Sequence, residues 1–151
     1  MPDPAFESRT ARLNLPMLFA GQAQKEFTVN ESLARIDALL HGAIDGESNT
    51  PPASAADGTA WLVGSSPGGD WAGHSGAIAA RQSGSWFFFT PFDGLKLLNR
   101  ANGQEIRFSS GWKAASRPVA PSGGSTVDVE ARSAISLIIA TLATAGIIPP
   151  A

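Results

Sequence analysis

The fold is decided by residues 57–113, which read DGTAWLVGSSPGGDWAGHSGAIAARQSGSWFFFTPFDGLKLLNRANGQEIRFSSGWK. This segment contains all four tryptophans of the chain and alternates short apolar runs with glycine-rich turns. Short runs of this kind, bounded by Gly, Pro, Asn and Ser, predict β-strands joined by tight connections. We therefore expect strands at 59–63, 76–81, 85–90, 95–100 and 104–108.

Sequence signals differ between the hairpin at 95–108 and the strand that carries the phenylalanine run. Asn102-Gly103 lies between two apolar runs, and Asn-Gly in that setting is a strong indication of a hairpin. After it, Ile106 and Phe108 alternate with charged residues, which predicts one wet and one dry face. The run Phe87-Phe88-Phe89 breaks such alternation, so we expect that strand to be covered on both faces, with a second chain as one source of cover.

A helix is predicted on the N-terminal side, from about 29 to 41. Thr28 and Glu31 fit a capping box, and Asn30 is a competing N-cap. Gly42 is a plausible C-cap. The apolar residues recur at helical spacing and are Val29, Leu33, Ile36, Leu40 and Ile44.

A second helix is predicted after the linker, beginning at Asp128 or Ser125 and ended by Gly146. It is apolar nearly all round, so it must be buried, and copies of the same chain are the economical way to bury it. Isoleucine at both seam positions favours three or more strands. The predicted oligomerisation residues are Ile135, Ile138, Leu142 and Ala145.

The predicted fold is therefore α+β: a small antiparallel β region of hairpins, flanked by an N-terminal and a C-terminal α-helix, in a homotrimer. We expect four segments. They are an extended attachment arm at 1–27, the N-terminal helix at 28–45, the β-rich domain at 46–116, and the linker with the C-terminal oligomerisation helix at 117–151.

Composition removes several classes of function. The chain has no cysteine and only two histidines, so neither a disulfide framework nor a Cys- or His-rich metal site is expected. The net charge is −2 with 16% charged residues, which gives nucleic-acid binding little support. The apolar stretch 134–148 is shorter than the roughly 20 residues of a bilayer span. No signal peptide and no cofactor are predicted.

No set of residues predicts a reaction. Ser75 follows His74, but no acid is marked as a third member of a triad. The loop 64–69 resembles a phosphate loop only in its glycines, because it lacks the lysine. Paired carboxylates would have to come from Asp57, Asp70, Asp93 and Glu105. We expect no catalytic residue, no metal site and no enzymatic activity.

The tryptophans support a binding hypothesis. Flat aromatic faces stack on sugar rings, and two of the four follow turn residues that favour exposure. Trp61 and Trp86 are expected to be scaffold instead. For His74 the alternative is a hydrogen bond that stabilises its own glycine-rich turn. The candidate ligand-binding residues are Trp71, His74, Trp112 and Asp70.

Several ordered blocks carry a resemblance to a known family. Residues 15–39 read LPMLFAGQAQKEFTVNESLARIDAL, and residues 71–79 read WAGHSGAIA. With 51–63 and 123–132 they resemble a bacterial family of unknown function. That family occurs in alphaproteobacterial prophage tails and gene-transfer-agent particles, and the resemblance covers roughly residues 13 to 147.

The resemblance implies a component of a phage-like particle and no reaction. We expect a tail fibre or spike subunit that contacts the host cell surface, with other tail proteins and a cell-surface polysaccharide as partners. The alternative is a structural adaptor of the tail tip that binds no sugar. A polysaccharide-degrading enzyme is a third, remote interpretation.

Overall fold

The computed structural model describes residue 16 and residues 25–151, which divide into two compact units between Gly42 and Ala43. The predicted fold class is confirmed, since two helices flank a small and mostly antiparallel β region. The predicted attachment arm lies outside the described residues, except for Pro16 and the first residues of the helix. The homotrimer stays a prediction.

The first helix, α1, spans Lys25–Leu39. It begins before the predicted start, so Thr28 and Asn30 lie inside it, and their interpretation as caps is wrong. Nothing in the segment from Lys25 onward breaks a helix, because it contains no proline or glycine. Within the helix, the Ser32 hydroxyl donates a hydrogen bond to the Pro16 carbonyl at 2.9 Å. Four residues of the predicted apolar stripe are exposed: Val29, Leu33, Ile36 and Leu40.

Eight strands form two four-stranded sheets. The first sheet has the order β1-β6-β7-β8 and the second the order β2-β3-β4-β5. Neighbouring strands are antiparallel, except for the two-residue parallel pairs β1-β6 and β2-β3. The strands are β1 (Ala43–Ile44), β2 (Glu47–Ser48), β3 (Ala60–Val63), β4 (Ile78–Gln82), β5 (Ser85–Phe89), β6 (Lys96–Asn99), β7 (Gln104–Phe108) and β8 (Trp112–Lys113).

Both predicted hairpins are present. In β4-β5, Gln82 pairs with Ser85, and Ser83 and Gly84 between them have φ values of 50° and 72°. Positive φ at both central residues is the type I′ pattern that matches the twist of the strands. The β6-β7 hairpin has a longer loop, 100–103, in which Gly103 has a φ of 67°.

The segment 43–48 connects the two sheets. Its first half pairs with β6 as β1, and its second half pairs with β3 as β2. Between them, the Asp45 amide donates to the Ala60 carbonyl at 2.7 Å, and the Asp45 carboxylate accepts from the Arg100 guanidinium at 3.1 Å. The predicted strands did not include these two short pairings, because they are made with residues distant in the sequence.

Among the described residues, the buried ones come mainly from the two sheets and their connections at 43–113, which we call the β unit. Ile44, Leu97 and Ile106 are buried in the first sheet, and Leu62, Ile78 and Phe89 in the second. The alternation of buried and exposed positions in β7 agrees with the predicted wet and dry faces. Within the described part of the chain, the hydrophobic core therefore lies in the unit 43–151.

The second helix, α2, spans Val129–Thr144. The Asp128 carboxylate accepts a hydrogen bond from the Ala131 amide at 2.8 Å, so Asp128 rather than Ser125 is the N-cap. Gly146 follows with a φ of 69°, as predicted for the end of this helix. No helix in the described part of the chain is both long and apolar enough to cross a membrane.

The C-terminal end of α2 is attached to the first sheet. The Gly146 carbonyl accepts from the Glu105 amide at 2.7 Å, and the Ile147 carbonyl accepts from Gln104 Nε2 at 3.1 Å. Gln104 is itself buried, and so is Ile148, the residue that follows Ile147. Within α2 only Ile139 is buried, so most of the helix is held by its last turn and by the residues after it.

The capping interaction gives a direct test of where α2 begins. Asp128→Ala removes the bond to the Ala131 amide and should destabilise the helix by about 1 kcal/mol. Ser125→Ala is the matched control, because Ser125 was the competing cap and its loss should have no effect. Hydrogen exchange of the amides in the first two turns of α2 measures the difference. Equal protection in the two variants would contradict the assignment of Asp128 as the cap.

Candidate functional site

The loop between β3 and β4 carries three of the four predicted ligand-binding residues. It contains a short 3₁₀ helix, Gly69–Trp71, followed by two turns. The His74 amide donates to the Trp71 carbonyl at 3.1 Å, and the Ala77 amide donates to the His74 carbonyl at 3.0 Å. The Gly76 amide bonds the Val63 carbonyl at 2.9 Å, which returns the loop to the end of β3. These bonds fold the loop back over the second sheet.

Trp71 lies at the centre of this arrangement and is 0% exposed. It forms a core cluster with Val63 and Ala79. Its ring meets the ring of Trp86 edge-to-face, with centroids 5.1 Å apart and an interplanar angle of 86°. The expectation that Trp71 is exposed is therefore wrong. A turn residue precedes it, but the turn directs the indole inward, so no face of it is free to stack on a sugar.

His74 is exposed and stacks on the second sheet. Its imidazole lies parallel to the ring of Phe88, with centroids 3.6 Å apart and an interplanar angle of 5°. Together with the Trp71 cluster, His74 covers the face of β5 that carries Phe88. The chain itself provides this cover. The backbone of His74 also stabilises its own turn, while its ring has one face against Phe88.

Trp112 connects this loop to the first sheet. It is half-buried, and its indole N–H donates to the Gly76 carbonyl at 3.0 Å. Its ring meets Phe108 edge-to-face at 5.3 Å. Trp61 and Trp86 pack against the Trp71 cluster as predicted. The indole donor of Trp112 is therefore used within the chain, and only part of its ring surface faces solvent.

The glycine-rich stretch 64–69 is held by Asn49. The Asn49 side chain accepts from the Ser66 amide at 3.0 Å, and the Asn49 carbonyl accepts from the Gly68 amide at 2.8 Å. The Gly64 amide bonds the Ser48 carbonyl at 2.8 Å. Backbone amides that bind a phosphate must be free to point at it. These three amides are already bonded inside the chain.

The structure thus gathers the predicted residues around one loop but uses most of them for support. Asp70, His74 and Ser75 remain exposed and present a carboxylate, an imidazole and a hydroxyl. Among residues 16 and 25–151, no group of three or more His, Asp or Glu side chains is placed to hold a metal ion. No strong local signal marks Asn49 in the sequence, whereas the run 87–89 already indicated that Phe88 needs a partner.

The burial of Trp71 predicts a large effect on stability. Trp71→Ala should lower the free energy of unfolding by about 3–5 kcal/mol, because it empties the centre of an aromatic cluster. His74→Ala removes only an exposed ring and should cost about 1 kcal/mol or less. Urea denaturation followed by circular dichroism measures both. A Trp71→Ala variant as stable as the native chain would show that this indole is a surface residue after all.

Comparisons with known proteins place the chain in a family. No curated protein matches it. A family model described as "Protein of unknown function (DUF2793)" matches residues 29–113, which is more than half of the 151 residues. The matched span contains most of α1, all eight strands and the Trp71 loop. The chain therefore belongs to the DUF2793 family of proteins of unknown function.

Proposed function

We propose that this protein is a structural subunit of a phage-like or gene-transfer-agent tail, acting as a tail fibre or spike subunit that assembles through α2. The resemblance of residues 13–147 to proteins of alphaproteobacterial prophage tails supports the setting. The observation that carries the assembly is the apolar surface of α2. In this proposal the chain acts within the assembled particle by holding and displaying its β unit, and it catalyses no reaction.

The apolar surface of α2 is unusually exposed for a folded chain. Ile135, Leu137 and Ile138 have 41%, 65% and 58% of their surface exposed. Contiguous exposed apolar patches on soluble proteins mark interaction surfaces. Full burial of a fully exposed side chain of this size contributes about 1.5–3 kcal/mol, and these side chains have about half of that contribution still to gain. An interface along α2 would therefore be favourable.

The apolar seam of α2 indicates that its partner is another copy of the same chain. Ile135, Ile138, Leu142 and Ala145 have the 3-4-3 spacing of alternating a and d positions. Ile135 and Ala145 are exposed, and Leu142 is half-buried. Ile139, which the chain buries for itself, lies to one side of the seam, so self-packing does not block it. Isoleucine at both a and d favours trimers over dimers, and three copies give a closed symmetric rod.

A second candidate function is a structural adaptor of the tail tip that binds no sugar. The burial of Trp71 favours it, because the best-placed aromatic candidate is occupied inside the chain. Trp112 also uses its indole donor internally. In this alternative the β unit packs on neighbouring tail proteins. Contact with a cell-surface glycan would then have to rest on surfaces other than the buried tryptophan.

The assembly is tested by the mass of the protein in solution. The native chain should be a trimer at micromolar concentration. Ile138→Lys places a charge in the seam and should give a monomer, because an unpaired charge is costly to bury. Ala140→Lys is the matched control, since at 100° per residue Ala140 lies on the opposite side of the helix and is exposed.

Light scattering coupled to size-exclusion chromatography distinguishes these outcomes. A monomeric native chain would overturn the assembly through α2. A native trimer that Ile138→Lys leaves intact would place the interface elsewhere on the molecule. Retention of the trimer by Ala140→Lys shows that the added charge by itself does not dissociate the chains.

A further inference from the structure

The outer face of the first sheet carries a row of cations. Lys96 pairs directly with Arg107 across β6 and β7, and Arg107 pairs directly with Lys113 across β7 and β8. Directly opposite residues in a sheet point to the same face, with Cβ atoms about 4.5–5.5 Å apart. All three side chains are exposed. They form one line of positive charge across three strands, which we name the cationic row.

The cationic row is poorly neutralised. Glu105 is the acidic residue of β7 on this face, and its carboxylate lies 2.8 Å from Lys96 Nζ. Arg107 and Lys113 form no ion pair with any residue of 16 and 25–151. Like charges directly opposite each other destabilise a sheet. The row therefore costs the fold some stability, and an anion lying on it would remove that cost.

The row also stands out from the charge of the whole chain. The chain has a net charge of −2, while this face has three cations and one carboxylate. Leu98 lies on the same face, two residues from Lys96, and is 45% exposed. The surface thus combines one exposed leucine with two cations that have no ion-pair partner among the described residues. Such a surface suits a polymer that has both charged groups and apolar C–H faces.

We propose that the cationic row binds an acidic polysaccharide of the bacterial cell surface through its carboxylate or phosphate groups. The proposal rests on the proposed tail function and names its ligand class. The guanidinium of Arg107 can bind a carboxylate or phosphate through two parallel hydrogen bonds. Lys96 and Lys113 add charge on either side, and Leu98 supports the C–H face of a sugar ring.

The chemistry of the surface favours a polysaccharide over a nucleic acid. A row of three cations neutralises few phosphates, and affinity for nucleic acid depends on the number neutralised. Weak binding to each row is sufficient in a trimer, because several sites on one particle act together through effective concentration.

The test compares carboxymethyl dextran with unmodified dextran, using the full native chain immobilised for biolayer interferometry. Binding to carboxymethyl dextran should weaken as salt rises, and unmodified dextran should not bind. The double variant Arg107→Glu, Lys113→Glu should lower the affinity about tenfold or more, since two charge contacts are reversed and avidity multiplies the loss. Lys25→Glu is the matched control, because Lys25 is exposed on α1 and lies off the row.

The neutral variant Arg107→Gln, Lys113→Gln serves if charge reversal impairs folding, and its affinity should also fall. Equal binding by the native chain and either folded row variant overturns the proposal. Tighter binding to single-stranded DNA than to carboxymethyl dextran overturns the choice of polysaccharide. The mass of the protein in solution distinguishes a failure of polyanion binding from a failure of the assembly through α2. A trimer without polyanion binding refutes only the row, and a monomer that binds carboxymethyl dextran refutes only the assembly.

Discussion

The packing of Trp71 onto the outer face of the second sheet is the interaction on which the β unit depends. The strands β3 to β5 place aromatic side chains on both faces, and a sheet this small cannot leave both faces in water. The loop 64–77 solves this by folding back, so that Trp71 fills the cluster with Val63 and Ala79. The same loop gives its Gly76 carbonyl to Trp112, which joins it to the first sheet.

Local signals in the sequence predicted much of this fold. The turn at Ser83-Gly84, the Asn102-Gly103 hairpin and the stop at Gly146 each depend on backbone conformations that only a few residues adopt readily. Those features are visible within a few residues of chain. The strands β1, β2 and β8 are two residues long, and β1 and β2 pair with distant segments. Such short strands have no local periodicity from which they could be predicted.

The candidate site was predicted less well, for a related reason. Tryptophan and histidine among the glycines of residues 69–76 indicated a specialised loop. Whether Trp71 points out or in is decided by Trp61 of β3 and by Trp86 and Phe88 of β5, which become its neighbours only after folding. The row of Lys96, Arg107 and Lys113 depends in the same way on strand register. Sequence alternation identifies a wet face but not which charges stand opposite each other.

The attachment of α2 has a mechanical consequence. The end of the helix joins the sheet through a backbone bond from the Glu105 amide to the Gly146 carbonyl and a side-chain bond from Gln104 to the Ile147 carbonyl, while most of the surface before that point is open. Force applied along the open part of α2 reaches the β unit through this short junction. Resistance to pulling is therefore set by a few hydrogen bonds and the buried Ile148. Under tension, α2 and the β unit should part at this junction before the sheets open.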